Sequence, residues 1–173
     1  MVEVVELKNT RIILQTRPSG MTVDSTMFST IEETISPSNL KESEVLVKNL
    51  HLDFSPSLIT RLQGTGSAYM PAIAIGACVD THGICEVVES KSEKYRSGDI
   101  VFSFSGWETY SIVKESMIHF PIKKDAPSYT QYLSLFGICS ITAWIGLNCI
   151  AHAKEGETIL VSAAAGATGH AVC

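Results

Sequence analysis

No two of the five cysteines, Cys78, Cys85, Cys139, Cys149 and Cys173, are spaced as Cys-x-x-Cys, and their number is odd. A disulfide framework is therefore not expected. With no apolar leader in the acidic Met1-Val-Glu-Val-Val-Glu start, the sequence suits a reducing, cytoplasmic setting. Nor is there a run of Lys or Arg: charged residues are 18% of the 173 positions, and the formal net charge is −5. A phosphate backbone would meet no basic stripe, so nucleic acid is not an expected partner. The pentapeptide Gly-x-Ser-x-Gly is absent too, which removes the nucleophile elbow of an α/β serine hydrolase. There is no internal repeat and no low-complexity tract.

What is present is apolar. Hydrophobic residues make up 45% of the chain, enough for one sizeable core, or for one domain and part of another. Residues 126–153 contain no charged side chain, and the apolar part, 133–150, approaches membrane-spanning length. Ser134, Ser140, Thr142, Asn148 and two glycines interrupt it, and no basic cluster flanks it. The segment reads as a buried helix of a soluble enzyme, with no membrane partner expected.

The first 120 residues carry strand signals. Arg11-Ile-Ile-Leu-Gln is short and β-rich, Glu44-Val-Leu-Val-Lys-Asn-Leu-His-Leu alternates, and Gly83-Ile-Cys-Glu-Val-Val-Glu follows a turn. Ser97-Gly98-Asp99 predicts a tight turn, with Ile100-Val-Phe-Ser-Phe and Trp107-Glu-Thr-Tyr-Ser-Ile-Val as two further strands. Many short strands with turn residues between them predict a mainly β, barrel-like domain over residues 1–125. After Pro127-Ser128 the period changes, and some twenty residues predict a helix capped by Ser128 or a neighbour. Lys154-Glu-Gly-Glu-Thr is a polar turn, and Ile159-Leu-Val-Ser-Ala has the pattern of a buried parallel strand.

Directly behind that run comes Ala163-Ala164-Ala165-Gly166-Ala167-Thr168-Gly169-His170, an Ala-x-Gly-x-x-Gly variant of the dinucleotide fingerprint. Gly166 would let the backbone approach a pyrophosphate, Gly169 would allow close helix packing, and the helix start would aim free N–H groups at the anion. A ribose-selecting residue is expected roughly 20 positions beyond the glycines, but the sequence ends at Cys173. The nucleotide domain of residues 126–173 therefore reads as truncated, and the expectation is weak nucleotide binding or none. This reading stands on residues 157–173 being strand, bend and helix start.

Val45-Leu-Val-Lys-Asn-Leu-His-Leu, Gly106-Trp-Glu-Thr-Tyr-Ser-Ile-Val, Ile141-Thr-Ala-Trp-Ile-Gly and Lys154-Glu-Gly-Glu-Thr-Ile-Leu-Val-Ser-Ala-Ala-Ala-Gly-Ala-Thr-Gly together resemble the zinc-free medium-chain reductases that include NADP-dependent 2-alkenal and prostaglandin reductases. The resemblance implies a GroES-like, partly open β-barrel domain, a linking helix, and the first strand and turn of a Rossmann α/β domain. It implies NADPH as cofactor and hydride delivery to the β-carbon of an enal or enone, the protein supplying orientation and electrostatics. By the same resemblance Thr142 lies near the nicotinamide, Trp144 takes a pocket position usually held by tyrosine, and Ser162, Ala163, Gly166, Ala167, Thr168 and Gly169 cradle the pyrophosphate. Ser57 takes the place of a pocket tyrosine, so that Ser55-Pro56-Ser57-Leu58-Ile59 lacks both an aromatic wall and a cation. Ile138-Cys139-Ser140 replaces Met-Pro-Gly ahead of Thr142. No residue is identified as the proton donor.

Zinc is not expected. Cys78, His82 and Cys85 stand at i, i+4 and i+7 but match neither the alcohol dehydrogenase ligand pattern nor its four-cysteine lobe. The alternative to an enzyme is a non-catalytic, truncated family member that associates with a full-length partner. An uncovered apolar surface along residues 133–150 and 159–164, leading to a homodimer or other association, is expected on either reading.

Overall fold

The computed structural model describes residues 6–67 and 70–173; the acidic start at Met1 falls outside them. The chain divides into two compact units, Met1–Asp125 and Ala126–Cys173.

Unit 1 is mainly β. Its strands are β1 (Leu7–Leu14), β2 (Phe28–Ile35), β3 (Glu44–Leu52), β4 (Asp80–Ser90), β5 (Ile100–Gly106), β6 (Tyr110–Lys114) and β7 (Ile118–Ile122), with one short helix, α1 (Leu58–Gln63). Strands β1 and β2 form a two-stranded antiparallel sheet, and the others a five-stranded antiparallel sheet in the order β6-β3-β4-β5-β7. The run Val45-Leu46-Val47 in β3 is wholly removed from solvent on both faces, which suits a central strand. Each such side chain contributes about 1.5–3 kcal/mol by leaving water.

Two cores follow from this layout. Val45, Val47, Cys85, Val87, Val101, Val113 and Ile118 pack within the larger sheet, whereas Leu14, Leu58, Leu62, Ile73 and Val79 join β1 to α1. The sheets remain open and meet along a seam: Ile12 N–H donates to Trp107 O at 2.9 Å, Val79 N–H to Ile12 O at 3.0 Å, and Thr109 N–H to Thr10 O at 3.0 Å. Trp107 and Glu108, expected inside a strand with residues 109–113, are spent on this seam instead. Their backbone pairs toward β1 while β6 starts at Tyr110.

Helix α1 ends at Gly64, whose φ of +91° is left-handed and whose missing side chain leaves room for the Arg17 guanidinium. Arg17 donates to Leu62 O at 2.9 Å and Ile73 O at 3.0 Å, so the loop before β2 is tied to the helix end.

Unit 2 departs from the expected long helix and buried strand. A single 3₁₀ turn (Tyr129–Tyr132) comes first, then α2 (Ile138–Trp144) running into a π-helical stretch (Ile145–Ile150). Gly137, extended at φ −85° and ψ −173°, separates the turn from the helix. Among the described residues no helix is long and apolar enough to cross a membrane. The expected strand at residues 159–163 does not form: the segment is unpaired, and Leu160 is 97% exposed. A strand exists only through a ladder with a neighbour, and unit 2 has no strand among its described residues to offer one. The bend does form, as a turn over residues 162–165, and so does the helix start, α3 (Ala167–Val172). Because the strand is missing, residues 157–173 do not give the support for a reductase that the sequence reading asked of them.

Candidate functional site

The sheet seam of unit 1 carries a buried polar cluster. Asn9, fully buried, donates to Glu108 Oε2 at 3.1 Å and accepts from Tyr110 N–H at 2.9 Å. Arg11 Nε lies 2.8 Å from the same carboxylate but off the line of a hydrogen bond, so that attraction is ionic. Ser111 Oγ donates to Glu108 Oε1 at 2.7 Å, and Asn49 Nδ2 donates to Gly106 O and Glu108 O. Every oxygen of Glu108 is occupied by the fold, so the cluster is a staple between sheets and not a reactive centre.

The three residues weighed for zinc have separate surroundings. Cys78 hydrogen-bonds to backbone carbonyls at the seam, and burial together with the charge of Glu108 pushes its thiol up. Burial pushes Cys85 up to about 11, and its Sγ lies 3.1 Å from Asn49 Oδ1. His82 stacks on Phe102 with ring centroids 5.4 Å apart and lies 5.2 Å from His119. Burial lowers its pKa, aided by His119 and Arg61. Among the described residues no three metal-ligating side chains come together.

On another side of α1 lies a hollow of about 330 Å³, lined by residues that include Met21, Phe28, Phe54, Ser55, Leu58 and Trp107. Trp107 is its centre: Phe54 and Phe28 tilt against it at 34° and 35°, with centroids 5.8 and 6.2 Å away. Leu58, Ile59 and Leu62 turn toward the hollow. Arg61 goes elsewhere, to Pro71 O, Asp80 O and the Asp80 carboxylate. Ser57, the pocket position inferred from sequence, is exposed at the start of α1, shares a hydrogen bond of 2.9 Å with Ser55, and is not one of the lining residues. Sequence reading found no aromatic wall in residues 55–59. The structure has one beside them, from Phe54 and two rings distant in sequence, and the only local signal was the Phe54 that precedes Ser55-Pro56.

The other inferred site residues belong to unit 2. The Thr142 hydroxyl donates to Ile138 O at 2.7 Å within α2, and Trp144 at the end of that helix is 61% exposed. Ser162 and Ala163 lie in the turn before α3, and Gly166 is its N-cap. The left-handed backbone expected of a glycine falls on Ala163, at φ +50°, while Gly166 is extended at φ −77°. The Ala163 carbonyl accepts from Gly166 N–H at 2.9 Å and crowds Gly169 so closely that no side chain fits there. Ala163, Gly166 and Gly169 are thus brought together. Ala167 and Thr168 open α3, where the first N–H groups have no intrahelical acceptor.

Comparison with known proteins adds the following. The family model described as the N-terminal domain of oxidoreductase matches residues 10–120. The NADP(+)-dependent 2-alkenal reductase of Nicotiana tabacum is 33% identical over 170 residues, covering 96% of this chain and 49% of that protein. Prostaglandin reductase 1 of Bos taurus is 33% identical over 142 residues, covering 81% and 41%. Among solved structures, CurA of Vibrio vulnificus in complex with NADPH aligns with a TM-score of 0.78 at 27% identity, over 94% of this chain and 47% of that one. The chain spans about half the length of the relatives it matches.

Proposed function

The chain belongs to the oxidoreductase family whose N-terminal domain it matches, and from that premise we propose that it is the N-terminal part of an NADPH-dependent reductase acting on the carbon–carbon double bond of α,β-unsaturated aldehydes or ketones. One observation carries the reading: the likeness to the tobacco 2-alkenal reductase runs through nearly the whole chain, both units included. The resemblance at Thr142 agrees with it.

The residues of unit 2 fit the nucleotide. The turn at residues 162–165, the glycine that admits no side chain, and the first N–H groups of α3, which have no acceptor within the helix, suit phosphate oxygens. Ser162, Ala163, Gly166, Ala167, Thr168 and Gly169 would hold the pyrophosphate. The hydroxyl proton of Thr142 is already given to Ile138 O, so its remaining capacity is that of an acceptor, suited to an amide N–H such as the nicotinamide carboxamide presents. Bound NADPH would supply the hydride. By the same resemblance Ser57 in unit 1 and the largely exposed Trp144 in unit 2 are each a substrate-pocket candidate, and no proton donor is assigned to the chain. The free cysteines support a reducing, cytoplasmic setting.

The test is deuteride transfer. NADPH carrying deuterium at C4 is incubated with trans-2-hexenal and a longer polypeptide that contains these 173 residues, and hexanal is examined by mass spectrometry. Deuterium on the β-carbon is the expected result, and no NADPH-dependent loss of alkenal would overturn the reading. The 173-residue chain by itself, titrated with NADPH in a calorimeter, is expected to bind weakly or not at all.

A second reading, association with another copy or a longer family member, is favoured by the exposed Ile138, Trp144, Ile150 and Leu160 of unit 2. Light scattering above the monomer mass, with binding of a hydrophobic dye, is expected. A monodisperse monomer that binds no dye would end it.

A further inference from the structure

We propose that the free edge of β2 is a docking surface for a second copy of this chain, the two β2 strands pairing antiparallel about a two-fold axis at Ile31. The surface lies in unit 1 and is separate from the exposed apolar residues of unit 2. The proposal does not rest on the reductase reading.

The hydrogen bonds of β1 establish which groups of β2 are free. Thr10, Ile12 and Leu14 turn their backbone to the seam: Thr10 O accepts from Thr109 N–H, Ile12 N–H donates to Trp107 O, Ile12 O accepts from Val79 N–H, and Leu14 N–H donates to Ala77 O. Successive residues of a strand point their N–H and C=O to opposite sides, so Asn9, Arg11 and Ile13 bond to β2. Their partners there are Glu33, Ile31 and Ser29. Thr30, Glu32 and Thr34 therefore direct N–H and C=O away from β1, and among the described residues no backbone bond outside the β1–β2 pair uses them. Phe28 differs, because its N–H is taken by Ser25 O and only its carbonyl is left.

Strand edges are ordinarily guarded by shortness, lysine, proline or a bulge. The outer strands of the larger sheet, β6 and β7, are each five residues long, with Lys114 in one and Pro121 in the other. Strand β2 runs for eight residues without Lys or Pro, its register with β1 is unbroken, and residues 30–34 are all exposed. Its two carboxylates are matched within the hairpin, Glu32 by Lys8 at 2.9 Å and Glu33 by Arg11 at 3.1 Å. Surface pairs of this kind add little stability, but they cancel charge that would repel another copy.

The order of residues selects a second copy as the occupant. With the axis at Ile31, each Ile31 faces its counterpart at the closer, non-hydrogen-bonded spacing of about 4.5 Å between Cα atoms. Thr30 then exchanges both backbone bonds with Glu32 of the other copy, and Thr34 N–H reaches the Phe28 carbonyl. Every carboxylate stands opposite a hydroxyl, Glu32 against Thr30 and Glu33 against Ser29, so no like charges meet. An axis at Glu32 would set that carboxylate against itself, and an axis at Thr30 would leave Thr34 beyond the start of the opposing strand. Each two-stranded sheet becomes half of one continuous sheet. The contact is only one strand wide, so the pair is weak and dissociates on dilution.

Amide hydrogen exchange of the ¹⁵N-labelled 173-residue chain, followed by NMR without nucleotide at low and high protein concentration, tests the pairing. The Ser29, Ile31 and Glu33 amides, bonded to β1, are expected to exchange slowly throughout. Those of Thr30, Glu32 and Thr34 are expected to exchange freely when dilute and about tenfold or more slowly when concentrated. Thr30→Pro removes an outward N–H without touching the β1–β2 ladder. Ile31→Glu sets like charges opposite each other across the axis, yet keeps each beside Arg11 of its own hairpin. Both variants are expected to lose the concentration dependence, with slow exchange at Ser29 and Glu33 showing that the hairpin is intact. Fast exchange of the three outward amides at every concentration would overturn the proposal. So would slow exchange at every concentration, since the chain itself would then cover the edge. A concentration dependence that survives both variants would put the contact on another face and overturn it equally. Because NADPH and enal are absent, failure here leaves the reductase reading where it stands.

Discussion

A β-carbon on Gly169 would run into the carbonyl oxygen of Ala163, a residue that already holds a left-handed backbone at φ +50°. The obstacle is main chain and cannot swing aside. Gly169→Ala is therefore expected to open the turn before α3, seen as faster amide hydrogen exchange across residues 163–173. Ala163→Gly is expected to slow that exchange, since it removes a left-handed penalty of about 1–2 kcal/mol, partly offset by the entropy of a freer unfolded chain. Unchanged exchange in both variants would mean that this turn is not set by the contact.

Arg61 is buried and spends its guanidinium on three oxygens, at 2.9 Å to Pro71 O, 2.8 Å to Asp80 O and 2.6 Å to Asp80 Oδ1, while lying 5.3 Å over Phe104. Arg61→Met leaves the Pro71 and Asp80 carbonyls without this donor, while the Asp80 carboxylate keeps contact with water, and is expected to cost about 1–3 kcal/mol in urea unfolding. Arg61→Lys should recover only part, because one ammonium cannot reproduce the fork.

His82 titrates below the ordinary imidazole range because of burial, with the neighbouring His119 and Arg61 acting in the same direction. As pH falls through the unfolded value of about 6.5, the unfolded chain takes up a proton that the folded chain resists, so stability declines until the folded group titrates as well. The urea midpoint is expected to drop between pH 7.5 and 5.5, and less steeply in His82→Phe. Parallel profiles for the two proteins would remove His82 as a cause.

Cysteine reactivity offers an independent check on burial. With the Cys85 thiol pushed up to about 11, its thiolate at pH 8 amounts to about one part in a thousand. Iodoacetamide should alkylate the exposed Cys149 and Cys173 in the native protein, and Cys85 only after denaturant is added, as read by peptide mass mapping.

The β architecture was legible where a strand has a buried face. The alternation over residues 44–52 is the whole of β3, and Ser97-Gly98-Asp99 is a turn with Gly98 at φ +83°. Strand β2 was not legible, because Phe28-Ser-Thr-Ile-Glu-Glu-Thr-Ile is exposed along most of its length. It is held by pairing with β1 and by ion pairs such as Lys8–Glu32 and Arg11–Glu33. The reverse error occurred at residues 159–163, where an apolar run of strand type finds no neighbour. The hollow was hidden for a further reason: Phe28, Phe54 and Trp107 converge from three separate segments, and no local pattern brings them together.

Asn9 reaches Glu108 across 99 positions of sequence. On an emerging polypeptide the first hairpin is complete near residue 35 but has to wait for its partners at the seam until residues 107–110 have left the ribosome. Contacts of such long separation slow folding, so the early hairpin spends most of synthesis with the inner face of β1 uncovered, which is the interval in which a chaperone has most to bind.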